Sequence, residues 1–179
     1  MQRMVKVMSD CEAAGYIGLR RSAEQDREFL YLVYASTRAE EMALTGWSES
    51  EKDSFLQLQF QYQDSYYRQN YPGASYDIIL TGDVPIGRLY VDRKPEKMNI
   101  IDIALLPQYR RQGIGGRIFR DLLYEADQKG QLVCLHVEMN NPVRSFYNSL
   151  GFVEINSYGI YYYMERPASG RAYHAETTA

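Results

Sequence analysis

Hydrophobic positions along the chain follow two periods, and their alternation predicts an order of helices and strands. Runs of aliphatic and β-branched residues predict strands, whereas apolar residues that recur every three or four positions predict helices. The predicted strands cover residues 16–20, 76–80, 85–91, 101–106, 132–138, 152–155 and 160–165. Helices are predicted after Ser22, from Ser48 to about Asn70, over residues 114–129, and in a short piece that ends near Leu150. The resulting order is β-α-α-β-β-β-α-β-α-β-β.

Local signals set the ends of these helices. Ser22 followed by Gln25, and Ser48 followed by Glu51, have the spacing of capping boxes and predict two helix starts. Gly130 is expected to end the third helix. The segment Thr37–Trp47 is expected to lie between the first two helices.

The stretch Ile101–Gly116 is the centre of the predicted fold. It begins as an apolar strand, which we expect to be buried on both faces and to end at Pro107. A basic, glycine-rich loop then leads into a helix. A helix N-terminus offers unpaired N–H groups and a positive dipole, and glycines let an anion approach closely. Arg110 and Arg111 add positive charge, so the sequence predicts an anion site. An ordinary strand–helix connection with two surface arginines is the alternative.

Two motifs give this region a family resemblance. The pattern Arg110-x-x-Gly113-x-Gly115 after a strand ending in Leu-Leu-Pro resembles motif A of the GCN5-related N-acetyltransferase (GNAT) family, in which the loop holds the pyrophosphate of acetyl-CoA. A second run, Asn140-x-Pro-Val-x-x-Phe-Tyr147-x-x-x-Gly-Phe, looks like motif B of the same family. Val143 departs from it, since a small residue is commoner there, and is expected only to tighten packing.

The resemblance implies a mixed α/β (α+β) fold. It predicts a central twisted mixed sheet of about seven strands, with helices on both faces and a splay between the fourth and fifth strands. The element order matches the family over residues 16–166, which we interpret as one acetyltransferase domain. Residues 1–15 are expected to be a loose leader, and residues 167–179 a disordered tail.

Acetyl-CoA is the cosubstrate that the resemblance implies. The motif A strand of the family carries a bulge that frees backbone groups, which here would belong to Ile103 and Leu105 and would pair with the pantetheine arm. Asn140 would hydrogen-bond the same arm. The loop residues expected to bind the phosphates are Arg110, Arg111, Gln112, Gly113, Gly115 and Gly116.

The catalytic residues are also carried over from the motifs. Tyr147 is expected to protonate the departing thiolate, with packing of its helix as the alternative. Asp102, a carboxylate in an apolar strand, is the first candidate for the general base, and Glu138 is the second. His136 is a rival that we interpret more readily as a core histidine. The position that histone-type members use as base is Asn99 here, and a water chain without a single base is equally compatible.

Tyrosines are concentrated in the regions expected to form the acceptor pocket. With Glu40 and Glu41 they would suit an aromatic or cationic amine, but the sequence does not identify the substrate. Packing in a dimer interface is the alternative, and a homodimer is predicted from the surplus of aromatic residues in the terminal strands. The tyrosines are Tyr62, Tyr66, Tyr67, Tyr71, Tyr158, Tyr161, Tyr162 and Tyr163.

Composition narrows the function classes. The chain has 179 residues, 45% of them hydrophobic, and a formal net charge of -3, so one globular domain without the basic surface of a nucleic-acid-binding protein is expected. No apolar run predicts a membrane span. Cys11 and Cys134 do not form a disulfide framework, which favours the cytoplasm. The chain has only two histidines, one of them His174 near the end, so a zinc site would have almost no histidine ligands and no metal is expected.

Three functions remain open at this point. The first is an N-acetyltransferase that acts on a small molecule or a peptide amine by direct attack in a ternary complex. The second is a non-catalytic acyl-CoA-binding module, and the third is a protein-interaction domain on the same fold. The glycine loop favours the first two, and Tyr147 favours the first.

Overall fold

The computed structural model describes residues 16–169, and within them the elements follow the predicted order. The strands are β1 (Ile17–Arg21), β2 (Ser75–Thr81), β3 (Val84–Arg93), β4 (Lys97–Leu105), β5 (Leu132–Glu138), β6 (Val153–Tyr158) and β7 (Tyr161–Arg166). The helices are α1 (Arg27–Ala43), α2 (Glu49–Asn70), α3 (Ile114–Lys129) and α4 (Arg144–Ser149). Short 3₁₀ turns cover Glu24–Asp26 and Pro107–Tyr109.

The seven strands form one mixed sheet in the order β1-β2-β3-β4-β5-β7-β6. β4 and β5 run parallel, whereas β1–β2, β5–β7 and β6–β7 are antiparallel. The parallel register joins residues 97–100 to residues 132–135 and ends there, although β4 continues to Leu105. The predicted mixed α/β fold with about seven strands is therefore confirmed.

The described chain divides into two compact units. The first contains residues 16–90 and 102–115, and the second contains residues 91–101 and 116–169. Neither unit is a continuous segment, because β3 and β4 each contribute residues to both.

In the first unit, α1 and α2 pack through an apolar stripe. Leu30, Val33 and Tyr34 of α1 are buried, as are Leu56 and Phe60 of α2. Leu58 and Tyr62, two other large apolar residues of α2, lie outside this stripe and are 50% and 68% exposed. Because α2 is mostly polar, the spacing of its few apolar residues does not show which face of the helix is buried.

The two predicted helix starts have different outcomes. At α2 the prediction is confirmed, because the Ser48 Oγ accepts from the Glu51 N–H and the Glu51 carboxylate accepts from the Ser48 N–H at 2.8 Å. At α1 the Ser22–Gln25 box is wrong. There the Asp26 carboxylate accepts from the Ala23 N–H at 2.8 Å and pairs with Arg20 at 2.7 Å. The ion pair with Arg20 of β1 holds Asp26 where it accepts from the Ala23 N–H.

Two other expectations need correction. α1 continues to Ala43, so most of the segment Thr37–Trp47 is helical and the connection is short. Residues 101–105 of β4 are half-buried, and only Met98 and Ile100 of this strand are buried, so the predicted burial on both faces is wrong. The strand does end before Pro107, as predicted.

The core of the second unit lies between α3 and its strands. Phe119, Leu122 and Ala126 of α3 are buried, as are Val133 and Leu135 on one face of β5. Gly130 follows α3 with φ 63°, a conformation that glycine tolerates better than other residues and that ends the helix as predicted.

No helix within residues 16–169 is both long enough and apolar enough to cross a membrane. The predicted leader (residues 1–15) lies outside the described residues, as does the predicted tail from residue 170 onward. Residues 167–169 of that tail are described, and Ser169 is held by hydrogen bonds to Asp127.

Candidate functional site

The glycine loop has an unusual backbone. Arg111 and Gly113 have φ values of 58° and 76°, and α3 begins directly afterwards at Ile114. A Cβ at Gly113 or Gly115 would meet no atom within 4 Å, so there is open space beside both residues. The loop thus combines a helix N-terminus with room for an anion to approach the backbone.

The two loop arginines have different environments. The Arg110 Nε donates to the Leu105 carbonyl at 2.7 Å, and its Nη2 donates to the Ser36 carbonyl and hydroxyl at 3.1 and 2.9 Å. Arg110 therefore ties the loop to β4 and α1. The exposed Arg111 has no hydrogen bond or ion pair within the described part of the chain. Arg111, rather than Arg110, thus offers a guanidinium for a ligand.

Gln112 also braces the loop. Its Nε2 donates to the Gln108 carbonyl at 2.6 Å. Gly116 lies in the first turn of α3, where a Cβ would have only an ordinary contact, 3.9 Å from the Phe146 ring. Sequence reasoning assigned all these residues to one task, whereas the structure separates those that hold the loop from those that are open.

The end of β4 passes unusually close to β3. A Cβ at Gly87 would lie 2.3 Å from the Ala104 carbonyl oxygen and 2.8 Å from the Leu105 Cδ2. The Leu106 N–H donates to the Ile86 carbonyl at 2.9 Å beside this point. Such an approach favours the bulge predicted for β4. Sequence reasoning missed Gly87, although a glycine inside an apolar strand is a recognised signal of close backbone approach.

The backbone groups expected to pair with a pantetheine arm lie in this segment. Ile103 and Leu105 belong to the part of β4 beyond the register with β5. The Leu105 carbonyl is not free, since it accepts from Arg110. The predicted pairing of Leu105 with the pantetheine arm therefore depends on its N–H group.

Asp102 is half of a buried ion pair. Its two oxygens accept from Arg88 at 3.2 and 2.8 Å, and the side chains of Arg88 and Asp102 are only 3% and 14% exposed. Arg88 also donates to Gln63 at 2.9 Å. Burial opposes the charge on Arg88, but the neighbouring Asp102 carboxylate outweighs it and raises the arginine pKa. This pairing makes Asp102 a weaker candidate for the base than the sequence indicated.

The rival base candidates lie on one face of β5. Cys134, His136 and Glu138 alternate along this strand, opposite Glu165, Tyr163 and Tyr161 of β7. Cys134 is buried, Glu138 is half-buried and His136 is exposed, so the interpretation of His136 as a core histidine is wrong.

The His136 ring has a charged neighbourhood. It lies 5.0 Å from the Tyr163 ring, and the Lys97 ammonium lies 5.0 Å from the same Tyr163 ring. Partial burial of the imidazole and the positive charge of Lys97 lower the pKa of His136. Its neutral, proton-accepting form is therefore favoured near neutral pH.

Tyr147 is packed into an aromatic cluster of the second unit. Its ring lies 5.3 Å from Phe119, 5.7 Å from Phe146 and 6.0 Å from Phe152, and the residue is 9% exposed. The ring of Tyr147 therefore does pack its helix, as the alternative holds. The role of its hydroxyl as the proton donor stays a prediction. Asn140 is exposed in the turn after β5. Val143 is 41% exposed, so the expected tightening of packing is wrong.

Residues expected to line an acceptor pocket are mostly on the surface. Tyr66 and Tyr158 are 56% and 75% exposed. At the α1–α2 connection, Leu44 is 89% exposed, and Trp47 is 42% exposed with its ring 5.1 Å from that of Phe55. Among residues 16–169, no group of three or more histidine, cysteine or acidic side chains lies close enough to hold a metal ion.

Comparison with known proteins agrees with this geometry. The model of the acetyltransferase (GNAT) family matches residues 34–152. The ribosomal protein bS18-alanine N-acetyltransferase of Haemophilus influenzae is 31% identical over 77 residues, which are 42% of this chain and 51% of that protein. The chain thus spans about half the length of the curated relative that it matches.

Solved structures share the fold. The PaiA N-acetyltransferase from Thermoplasma acidophilum, in complex with coenzyme A, has a TM-score of 0.64 and 21% identity, and the match covers 84% of this chain and 98% of that one. The ribosomal-protein-S18-alanine N-acetyltransferase from Escherichia coli has a TM-score of 0.57 and 18% identity, with coverage of 88% and 99%.

Proposed function

Because the chain belongs to the acetyltransferase (GNAT) family, we propose that it transfers the acetyl group of acetyl-CoA to a primary amine by direct attack in a ternary complex. The observation that carries the proposal is the loop before α3. It has open space beside Gly113 and Gly115, and Arg111 offers an uncommitted guanidinium among the described residues. The coenzyme A complex of the PaiA enzyme, which shares the fold, supports the choice of ligand.

The loop residues have separate tasks in this proposal. The N–H groups at the start of α3, together with Arg111, bind the pyrophosphate, and Gly113 and Gly115 let it approach. Arg110 and Gln112 keep the loop in shape through their backbone contacts. Gly116 continues the first turn of α3. Ile103, the Leu105 N–H and Asn140 bind the pantetheine arm.

The proposal assigns proton transfer to one donor, Tyr147, and one acceptor, for which there are three candidates. Acetyl-CoA supplies an activated thioester when bound. Tyr147 donates a proton to the departing thiolate, and Glu138 or His136 accepts the proton that the ammonium of the substrate must lose before attack. Asp102 is the less favoured acceptor because both of its oxygens accept from Arg88.

The substrate is a primary amine of a small molecule or a peptide. The Haemophilus relative is named as an N-acetyltransferase for an alanine of a ribosomal protein, which supports a peptide amine here. The exposed Leu44 and Trp47 are apolar residues that a peptide could cover. A homodimer is also part of the proposal, since every residue of the edge strand β6 is exposed. Light scattering at high micromolar concentration tests it.

The loop assignment is tested with a charge placed beside the open space. Gly115→Asp adds a carboxylate in the first turn of α3, where the helix dipole favours it, so stability is expected to be kept. The same charge repels the phosphates, and the affinity for acetyl-CoA measured by calorimetry is expected to fall at least about tenfold. Gly115→Asn controls for size, and Gly46→Asp, at a glycine with open space elsewhere, controls for charge.

Catalysis is tested by thiol release from acetyl-CoA with amines, amino acids and peptides, including a peptide with N-terminal alanine. Unchanged affinity in a folded Gly115→Asp variant contradicts the assignment of the loop. Tight acetyl-CoA binding without thiol release across the panel contradicts the transferase and favours an acyl-CoA-binding module.

A further inference from the structure

The first unit contains a cavity between the start of α1 and the C-terminal half of α2. Its volume is about 320 Å³, which lies in the range of small-molecule sites. Leu30 and Phe60, both largely buried, form its apolar lining. Four charged side chains also line it: Glu24, Arg27, Asp64 and Arg68.

One of the lining carboxylates has unused hydrogen-bonding capacity. The Asp64 Oδ2 accepts from the Arg68 Nε at 2.9 Å. The Asp64 Oδ1 is enclosed and has no hydrogen-bond partner in the described part of the chain. A buried carboxylate oxygen that accepts nothing is unfavourable. Because the Asp64 Oδ1 has almost no accessible surface, a ligand reaches it only if the Asp64 side chain turns toward the cavity, and satisfying this oxygen favours that rotation.

The charges at the entrance are also uncommitted. Within residues 16–169, the side chains of Glu24 and Arg27 have no hydrogen bond and no ion pair. The Arg27 guanidinium lies over the Phe60 ring, 5.8 Å from its centroid. A cation held over an aromatic ring is oriented while its N–H donors remain available.

We propose that this cavity binds a small zwitterion, an α-amino acid with an apolar side chain. Two acidic and two basic side chains line it, so their charges cancel, and a ligand without net charge fits better than a polyamine or a dicarboxylate. The ammonium group binds Asp64 and Glu24, and the carboxylate binds Arg27. The apolar side chain lies against Leu30 and Phe60.

This site is separate from the acetyl-CoA loop and does not depend on the proposed function. Arg27 and Leu30 lie at the start of α1, whereas the loop contacts α1 at Ser36. At 1.5 Å per residue, the nine positions from Arg27 to Ser36 correspond to about 13 Å along the helix. Binding at the cavity is therefore measured without acetyl-CoA and without an acceptor.

The experiment uses calorimetry on the whole chain with three probes: L-alanine, L-leucine and L-phenylalanine. At least one is expected to bind with a Kd below about 10 mM. Two truncated analogues of L-leucine test the zwitterion: 3-methylbutylamine lacks the carboxylate, and 4-methylpentanoate lacks the ammonium group. Each is expected to bind at least about tenfold more weakly than L-leucine.

Variants test the residues. Arg27→Gln removes the guanidinium from an exposed position. It is expected to lower the affinity for the amino acid at least about tenfold. Lys52→Gln removes a positive charge from α2 outside the cavity, where Lys52 pairs with Glu49, and is expected to bind as the wild type does. Asp64→Asn removes one of the two carboxylates expected to bind the ammonium group. Glu24→Gln removes the other and provides the test if Asp64→Asn does not fold.

Three outcomes overturn the proposal. The first is that none of the three amino acids binds below about 10 mM to the folded protein. The second is that either truncated analogue binds as tightly as L-leucine, which makes the cavity a cation or anion site. The third is an unchanged affinity in both Arg27→Gln and Glu24→Gln.

Discussion

The ion pair between Arg88 and Asp102 gives the sharpest test of what holds the first unit together. Asp102→Asn keeps the shape of the side chain and one acceptor oxygen but removes the negative charge opposite Arg88. The Arg88 side chain is only 3% exposed, so water cannot replace the lost partner. Gln63 still accepts from it.

Removal of one partner from a buried ion pair costs about 3–5 kcal/mol of unfolding free energy. We expect the lower end, about 3 kcal/mol, because the amide oxygen and Gln63 remain as acceptors. For a domain of this size, this loss corresponds to a fall in Tm of about 6–12 °C. Urea unfolding followed by circular dichroism measures the free energy, and Asp83→Asn, at an exposed turn, controls for loss of a surface carboxylate with an effect of about 0.5 kcal/mol or less.

A double variant separates charge from shape. Arg88→Met with Asp102→Leu replaces both partners by apolar side chains and is expected to recover much of the stability lost in Asp102→Asn. If it also transfers acetyl groups, Asp102 is not the general base. A folded Asp102→Asn variant with wild-type stability refutes the argument. If that variant also loses turnover, Asp102 is the base that the sequence indicated.

Three further predictions follow from the same geometry. Gly87→Ala forces a Cβ to within 2.3 Å of the Ala104 oxygen and is expected to cost at least about 1–3 kcal/mol in urea unfolding, with Gly46→Ala as a neutral control; equal midpoints would contradict it. Tyr147→Phe keeps the packed ring and should lower kcat by up to about 10²–10⁴-fold, with little change in Tm or in the affinity for acetyl-CoA. An unchanged kcat would mean that the proton comes from another group. The hydrogen bonds from Arg166, opposed by burial and aided by Ser169, lower the pKa of Asp127 to about 2. Its stabilisation is therefore complete above the ordinary value of 3.8 and is lost as the pH falls through about 2. Asp127→Asn should lower Tm at pH 7 by an amount that vanishes near pH 2, and a constant difference across this range would refute the linkage.

Element order was predictable because it depends on local periodicity. The cap at Ser48, the stop at Gly130 and the glycine loop all have signals within a few residues of where they act. The cap of α1 was not predictable in this way. Asp26 is fixed by Arg20 from the preceding strand, and that contact depends on tertiary structure.

For the candidate site, the sequence contained signals for individual residues but not for the contacts that each residue makes. Asp102 stood out as a charge in an apolar strand, and Arg88 is its counterpart in the neighbouring strand. Opposite charges inside two adjacent apolar strands are a signal of a buried pair, and this signal was present in the sequence. The exposure of His136 had no such signal, because strand alternation shows which residues share a face but not what covers it.

The loop arginines illustrate why residue type alone was insufficient. Arg111 has φ 58°, a conformation that costs a non-glycine residue about 1 kcal/mol. A glycine at this position would remove that strain but also the guanidinium. Arg110, by contrast, is held by Leu105 and Ser36, so its charge is already committed within the fold. Because strained backbone persists mainly where the surrounding structure or function requires it, we assign the phosphate contact to Arg111 and the support of the loop to Arg110.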